Sequence, residues 1–236
     1  MVDRSEVPLK NKIWEMISPF AFFLVCMVIC IFIVYLIAGV IYESSPSEGV
    51  SFENYVLSQS LWCYLAFYVA ALFVKGSRKS RAYESVKYGH ENRNWKLIYC
   101  ILAAAAAFFA ALVISRLLSA SGIEDVFTTY STAEDTAFAG KPAILLIITT
   151  VIAGPLAEEL IFRYMTFGRM RCYIGSRWAV ILSALLFGVY HTNMVQFIYC
   201  TILGIIFAVI YDKSGNLWIT VGAHMAINLA SVVAYF

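Results

Sequence analysis

Apolar residues in this chain fall in long blocks, not in stripes. Phe20–Tyr42 runs for 23 residues without a charge, Tyr55–Val74 for 20 and Leu97–Ser115 for 19. Crossing the hydrocarbon core of a bilayer takes about 20 such residues, so each block is long enough to span. The second half is built differently. Ala143–Ala157 is 15 uncharged residues that stop at Glu158 and Glu159, and Trp178–Tyr190 is 13 that stop at His191. Met194–Tyr211 is 18, and Leu217–Phe236 is 20 with only His224 and Asn228 as strongly polar interruptions. The pattern predicts an all-α polytopic transmembrane helix bundle, a single membrane domain over residues 1–236 with about seven membrane segments. Two segments are too short to cross alone and end at ionisable groups. Either those groups lie within the membrane or the helices are broken, and both require a protein-lined cavity, because lipid cannot satisfy exposed polar groups.

Composition sharpens this. Of the 236 residues 61% are hydrophobic and 14% charged, with a mean hydropathy of +0.78, against about 45–50% and about 25% in a soluble domain. A net charge of +2 is too small to suggest nucleic-acid binding. Five of the six cysteines (Cys26, Cys30, Cys63, Cys100, Cys200) lie inside apolar segments and none forms a CxxC pair, so they read as reduced thiols packed as small hydrophobes. The first apolar block is too long for a signal-peptide core and is expected to remain as an anchor. No internal repeat is visible.

The basic residues set an orientation. Four alternate regions hold 15 of the 17: the stretch before the first block, Lys75–Lys96, Arg163–Arg177, and Lys213. Only Arg116 and Lys141 fall on the other side, where residues 120–140 carry Glu124, Asp125, Glu134 and Asp135. By the positive-inside rule the N-terminus is cytoplasmic and the C-terminus outside, in a multi-pass protein of the plasma membrane. The Lys75–Lys96 loop reads as a topology determinant and is basic enough to meet anionic lipid.

A charge near mid-membrane costs roughly 2.5–3.5 kcal/mol on insertion scales, so intramembrane ionisable residues are functional candidates. Here they are Glu158, Glu159, Arg163, His191 and His224, with Asn228 beside them. Glu159 and Arg163 stand at i and i+4 and can pair, and His224 and Asn228 share a face in the same way. Glu158 is turned about 100° from Glu159, which leaves it free to point elsewhere. Pro155 lacks an amide hydrogen and crowds the Val151 carbonyl, so a kink is expected one turn before Glu158. His191 lies 14 residues past Arg177, about 21 Å along a helix. For it to meet Glu158, the fifth segment must start late, tilt or sit over a deep site; the fourth helix is also expected to continue past Arg163 before turning, and Trp178 is not expected to be the membrane entry.

Glu158-Glu159-Leu-Ile-Phe-Arg163 reads as EExxxR, Phe187-Gly-Val-Tyr-His191 as FxxxH and His224-Met-Ala-Ile-Asn228 as HxxxN. In that order, on successive apolar segments within residues 142–232, the chain resembles the CAAX protease and bacteriocin-processing (Abi) family, which includes the type II CAAX prenyl endopeptidases. The resemblance implies an intramembrane glutamate-type endopeptidase that needs no cofactor and no obligate metal. Glu158, helped by His191, would activate a water, His224 and Asn228 would stabilise the oxyanion, and Glu159 with Arg163 would hold the helix in shape. The substrate would be a small membrane-associated or lipidated peptide, in a chamber open to the cytoplasm or sideways to lipid. Three other readings stand beside it. Glu with two His is a known zinc set, although HExxH is absent. A non-catalytic immunity or scaffold protein would use the same fold, and a transporter could use the same buried Glu and Arg.

Overall fold

The computed structural model describes residues 7–44, 96–122, 142–191 and 194–236, with 52, 55 and 62 besides. Among them all regular structure is helical. The helices are α1 (Leu9–Ser44), α2 (Leu97–Ala120), α3 (Ala143–Tyr190), α4 (Met194–Ser214) and α5 (Leu217–Tyr235). All five are long and apolar enough to cross a membrane. The protein is an integral membrane protein built as a polytopic helical bundle. Five such helices lie among the described residues, which does not overturn the expected count of about seven membrane segments, for two reasons. The block 55–74 lies outside the described residues apart from positions 55 and 62, as does most of the basic loop that follows it. The two short segments 143–157 and 178–190 are parts of one helical run, α3.

Helix α3 is 48 residues long and is interrupted at Gly175, whose φ of 76° and ψ of 166° are not helical. A side chain would be strained at that φ, so glycine is the residue that fits. Phe162 and Phe187 lie at nearly equal distances along the chain on either side of this break, and their ring centroids are 5.0 Å apart. The chain therefore doubles back at Gly175, and the arms 143–174 and 176–190 pack against each other. This explains how 13 apolar residues can end at a buried site: the first arm runs on past Arg163 as far as the break, well beyond the apolar block that announces it. Arg171 pairs with Asp212 near the end of α4, and Ser176 bridges them, accepting from Arg171 Nε at 3.0 Å and donating to Asp212 at 3.1 Å. The turn is thereby tied to the next helix.

Large apolar side chains cover the outside of α1 and α2, among them Phe32, Leu36, Leu102 and Phe109. In lipid these faces gain nothing by burial, and helix association rests on close packing instead. Small residues make that packing possible. Ala107 and Ala111 of α2 meet Leu203 and Phe207 of α4 and Ala223 and Ile227 of α5 in one buried cluster. A second cluster joins Phe20 and Phe23 of α1 to Leu160, Ile161 and Phe162 of α3 and to Phe187 and Cys200.

The second arm of α3 lies especially close to α4. A Cβ at Gly188 would stand 2.7 Å from the Phe197 carbonyl oxygen and 3.0 Å from the Phe197 ring. Gly188→Ala therefore has to push the two helices apart, at an overpacking cost of about 1–3 kcal/mol. The expected result is a lower thermal midpoint for the purified protein in detergent. Gly222→Ala, whose Cβ would meet nothing within 4 Å, leaves that midpoint unchanged or raises it.

Candidate active site

Two π-helical stretches, Ile147–Ala153 and Leu160–Phe167, flank the short α-helical piece Gly154–Glu159 inside the first arm of α3. A π-register bonds each amide to the carbonyl five residues back, and its entry and exit leave carbonyls with altered partners. Gly154 N–H bonds to the Thr149 carbonyl. In the same register the Thr150 carbonyl would face Pro155, which has no hydrogen to give. Asn228 Nδ2 donates to it instead, at 2.8 Å. The orphan carbonyl is thus that of Thr150, not of Val151, and a side chain from α5 supplies its donor. The hydroxyls of Thr149 and Thr150 reach back to the carbonyls of Leu145 and Leu146, each at 2.7 Å. These bonds keep the irregular backbone satisfied in a part of the helix that water does not reach freely.

The two carboxylates of EExxxR have separate surroundings. Glu159 and Arg163 are both fully buried, with Arg163 Nε 3.2 Å from Glu159 Oε2. The two terminal guanidinium nitrogens of Arg163 have no hydrogen-bond partner among the described residues. The guanidinium instead rests over aromatic faces, 4.6 Å from the Phe187 centroid and 5.7 Å from that of Phe207; such contacts strengthen when desolvated. Glu158, one position back, faces a cavity of about 210 Å³ that Glu159 does not line. The 100° rotation between adjacent helical residues separates a structural carboxylate from an accessible one.

His224 stands between them. Its Nδ1 is 3.3 Å from Glu159 Oε1 and its Nε2 is 3.6 Å from Glu158 Oε2. Its ring lies 5.3 Å from that of Phe207, 34° from parallel, and meets Phe187 edge-on at 6.1 Å. With two carboxylates, one guanidinium and a ring able to take a proton, this buried group is neutral overall when all four are charged.

His191 follows the last turn of the second arm of α3, where carbonyls lack intrahelical donors. Its Nδ1 is 2.8 Å from the Phe187 carbonyl. A carbonyl oxygen only accepts, so Nδ1 carries the hydrogen, and in the neutral ring Nε2 keeps its lone pair. The ring is held edge-on between Phe187 and Tyr190 at 4.9 and 5.0 Å, and it lines the same cavity as Glu158, His224 and Asn228.

The four cavity residues come from α3 and α5, whose motifs are separated by up to 70 residues of chain, and the fold brings them round one space. Glu159 and Arg163 lie behind it. Two participants carry no motif of their own: the Thr150 carbonyl, which orients Asn228, and Phe207, which backs both His224 and Arg163. Pro155 was the available signal for the first. Nothing in the apolar run of α4 distinguishes Phe207 from its neighbours. Among the described residues no three His, Cys, Asp or Glu side chains are grouped closely enough to hold a metal ion.

Comparison with known proteins falls on this same region. The family model for type II CAAX prenyl endopeptidase Rce1-like proteins matches residues 140–230. A curated relative from Bacillus subtilis (strain 168), named "Putative membrane peptidase YdiL", is 28% identical over 184 residues, which cover 77% of this chain and 74% of that protein. No solved structure gives a significant match. The segment that builds the cavity is thus the part of the chain that is similar to the type II CAAX prenyl endopeptidase Rce1-like family.

Proposed function

We propose that the protein is a glutamate-type intramembrane endopeptidase that hydrolyses a peptide bond in a small membrane-associated peptide without a metal. The observation that carries this reading is the meeting of Glu158, His191, His224 and Asn228 around one cavity, while Glu159 is held apart from it by Arg163.

Each group suits a step. Glu158 reaches the cavity and is the carboxylate able to take a proton from an attacking water. The lone pair left on His191 Nε2 by the Phe187 carbonyl makes this ring a second proton acceptor, well placed to pass the proton on to the leaving amine. His224 is aimed by two carboxylates and backed by Phe207, so its ring offers a preorganised donor where negative charge develops on the peptide oxygen. The Asn228 amide has two hydrogens; one is spent on the Thr150 carbonyl, and the other is free to serve the same oxygen. Glu159 and Arg163 act through His224 and the helix, as positioning residues. A peptide is the substrate expected of the family. That it is an extended segment fits a cavity too small for a folded domain.

Separate roles for the carboxylates give separate outcomes. Glu158→Gln keeps the fold and lowers kcat by about 10²–10⁴, the range of a general base. Arg163→Ala leaves Glu159 as an unpaired buried charge and costs about 3–5 kcal/mol of stability, seen as a collapse of the thermal midpoint in detergent. If Glu158→Gln were fully active, with Glu159→Gln inactive but stable, the assignment would be reversed.

Cleavage of a quenched membrane-peptide library by the purified protein tests the chemistry. His191→Ala and His224→Ala should each abolish most activity, and Asn228→Ala should lower it by about 10²–10³, as for loss of an oxyanion donor. A strong chelator should leave the wild-type rate unchanged. Loss of activity with chelator and its recovery with zinc would establish the metal-dependent alternative.

A further inference from the structure

The cavity lies toward one end of the bundle and reaches to its middle. Among the described residues it is lined by Ser115 near the C-terminal end of α2, Thr150 in the N-terminal part of α3, and His191 at the far end of that helix. Val195 at the start of α4 and Asn228 and Ser231 in the last turns of α5 complete the ring. Successive helices run in opposite directions, so these positions all lie at the same end. Glu158, Phe207 and His224, near the middle of their helices, form its deepest part among the described residues.

The other half of the bundle is filled. Below the Glu159–Arg163 pair, Phe167, Met170, Ala179, Ala208 and Tyr211 form a buried cluster. Beyond it lie the Gly175 turn and its Arg171–Asp212 pair. Glu158 is 13 residues from Arg171, about 20 Å of helix at about 1.5 Å per residue. A chain coming from the Gly175 end would have to displace that whole layer to reach Glu158.

The same closed end carries the positive charge. Lys96 precedes α2, Arg171 and Arg177 flank the Gly175 turn, and Lys213 ends α4, in line with the strong bias of basic residues along the whole sequence to this side. A positive end is the cytoplasmic end. We infer that the cavity is reached from the non-cytoplasmic face, and that its substrates are peptide segments already displayed there: the exposed stretch of an exported or outer-leaflet-anchored polypeptide. The substrate class rests on the peptidase reading; the side of access does not. This route differs from a chamber open to the cytoplasm or sideways to lipid, because most residues lining the space sit toward the ends of their helices that are poor in basic residues.

The test uses the full-length protein with its other cysteines replaced and one cysteine left as a probe. Cys200, which lines the cavity, is one probe; Ser231→Cys at its rim is a second; Lys213→Cys marks the charged end. Sealed right-side-out and inverted vesicles are treated with a membrane-impermeant thiol reagent. Cys200 and Ser231→Cys should be labelled in right-side-out vesicles and protected in inverted ones, and Lys213→Cys should show the reverse. If the cysteine-poor background does not fold, the same comparison is made between the otherwise unchanged protein and its Ser231→Cys variant. Labelling of the cavity positions only in inverted vesicles, or from neither side, overturns the inference. An impermeant quenched peptide added to both preparations completes it, with cleavage expected only in the right-side-out set. Outward labelling without cleavage on either side counts against the peptidase and leaves the access route standing.

Discussion

The buried pair between Glu159 and Arg163 is the constraint on which the rest of the site depends. Both groups are fully enclosed, and an isolated charge at that depth would cost several kcal/mol. The pair is tolerable because one turn of helix brings its members together, because aromatic faces of Phe187 and Phe207 receive the guanidinium, and because His224 takes up the other carboxylate oxygen. Each compensation comes from a different part of the fold. The requirement to satisfy this one pair therefore brings the second arm of α3, α4 and α5 together around it, and Glu158, next in sequence, is left facing the space between them.

A second constraint acts on the backbone. A π-register, a proline and two threonines follow one another in the first arm of α3, and each alters which carbonyls have donors. Asn228 answers one of these, Thr149 and Thr150 two more. In water such irregularity would be solvated at little cost; in a membrane every polar backbone group has to find a protein partner or line a cavity. The site is built where the helix is least regular because irregular backbone is tolerated at membrane depth in just such places. The two arms meeting at Gly175 serve the same end, since they place His191 opposite the middle of the helix that carries Glu158.

These features describe a helical core in which the cavity lies toward one face and close packing toward the other. The polar residues of EExxxR, FxxxH and HxxxN divide between the two. Glu158, His191, His224 and Asn228 line the cavity, whereas Glu159 and Arg163 are fully buried and do not line it.

Much of this was legible in the residues themselves. Uncharged runs of membrane length establish an all-helical membrane protein, since no other secondary structure satisfies its own backbone within one segment. The i, i+4 spacing of Glu159 and Arg163 specifies their pairing, and the neighbouring position of Glu158 specifies its release from it, because both follow from helical geometry alone. The distance from Arg177 to His191 already asked the fifth segment to start late, tilt or sit over a deep site, with the fourth helix expected to run on past Arg163. What the sequence could not decide was anything set between helices. That two short apolar segments are the arms of one hairpin depends on their packing across Gly175. That Asn228 serves the Thr150 carbonyl depends on a π-register which no local pattern announces. That His224 touches both carboxylates, and that Phe207 backs it, depends on how α4 and α5 lie against α3. Helical spacing acts over a few residues, whereas these contacts join positions tens of residues apart, and only the packed bundle brings them within reach.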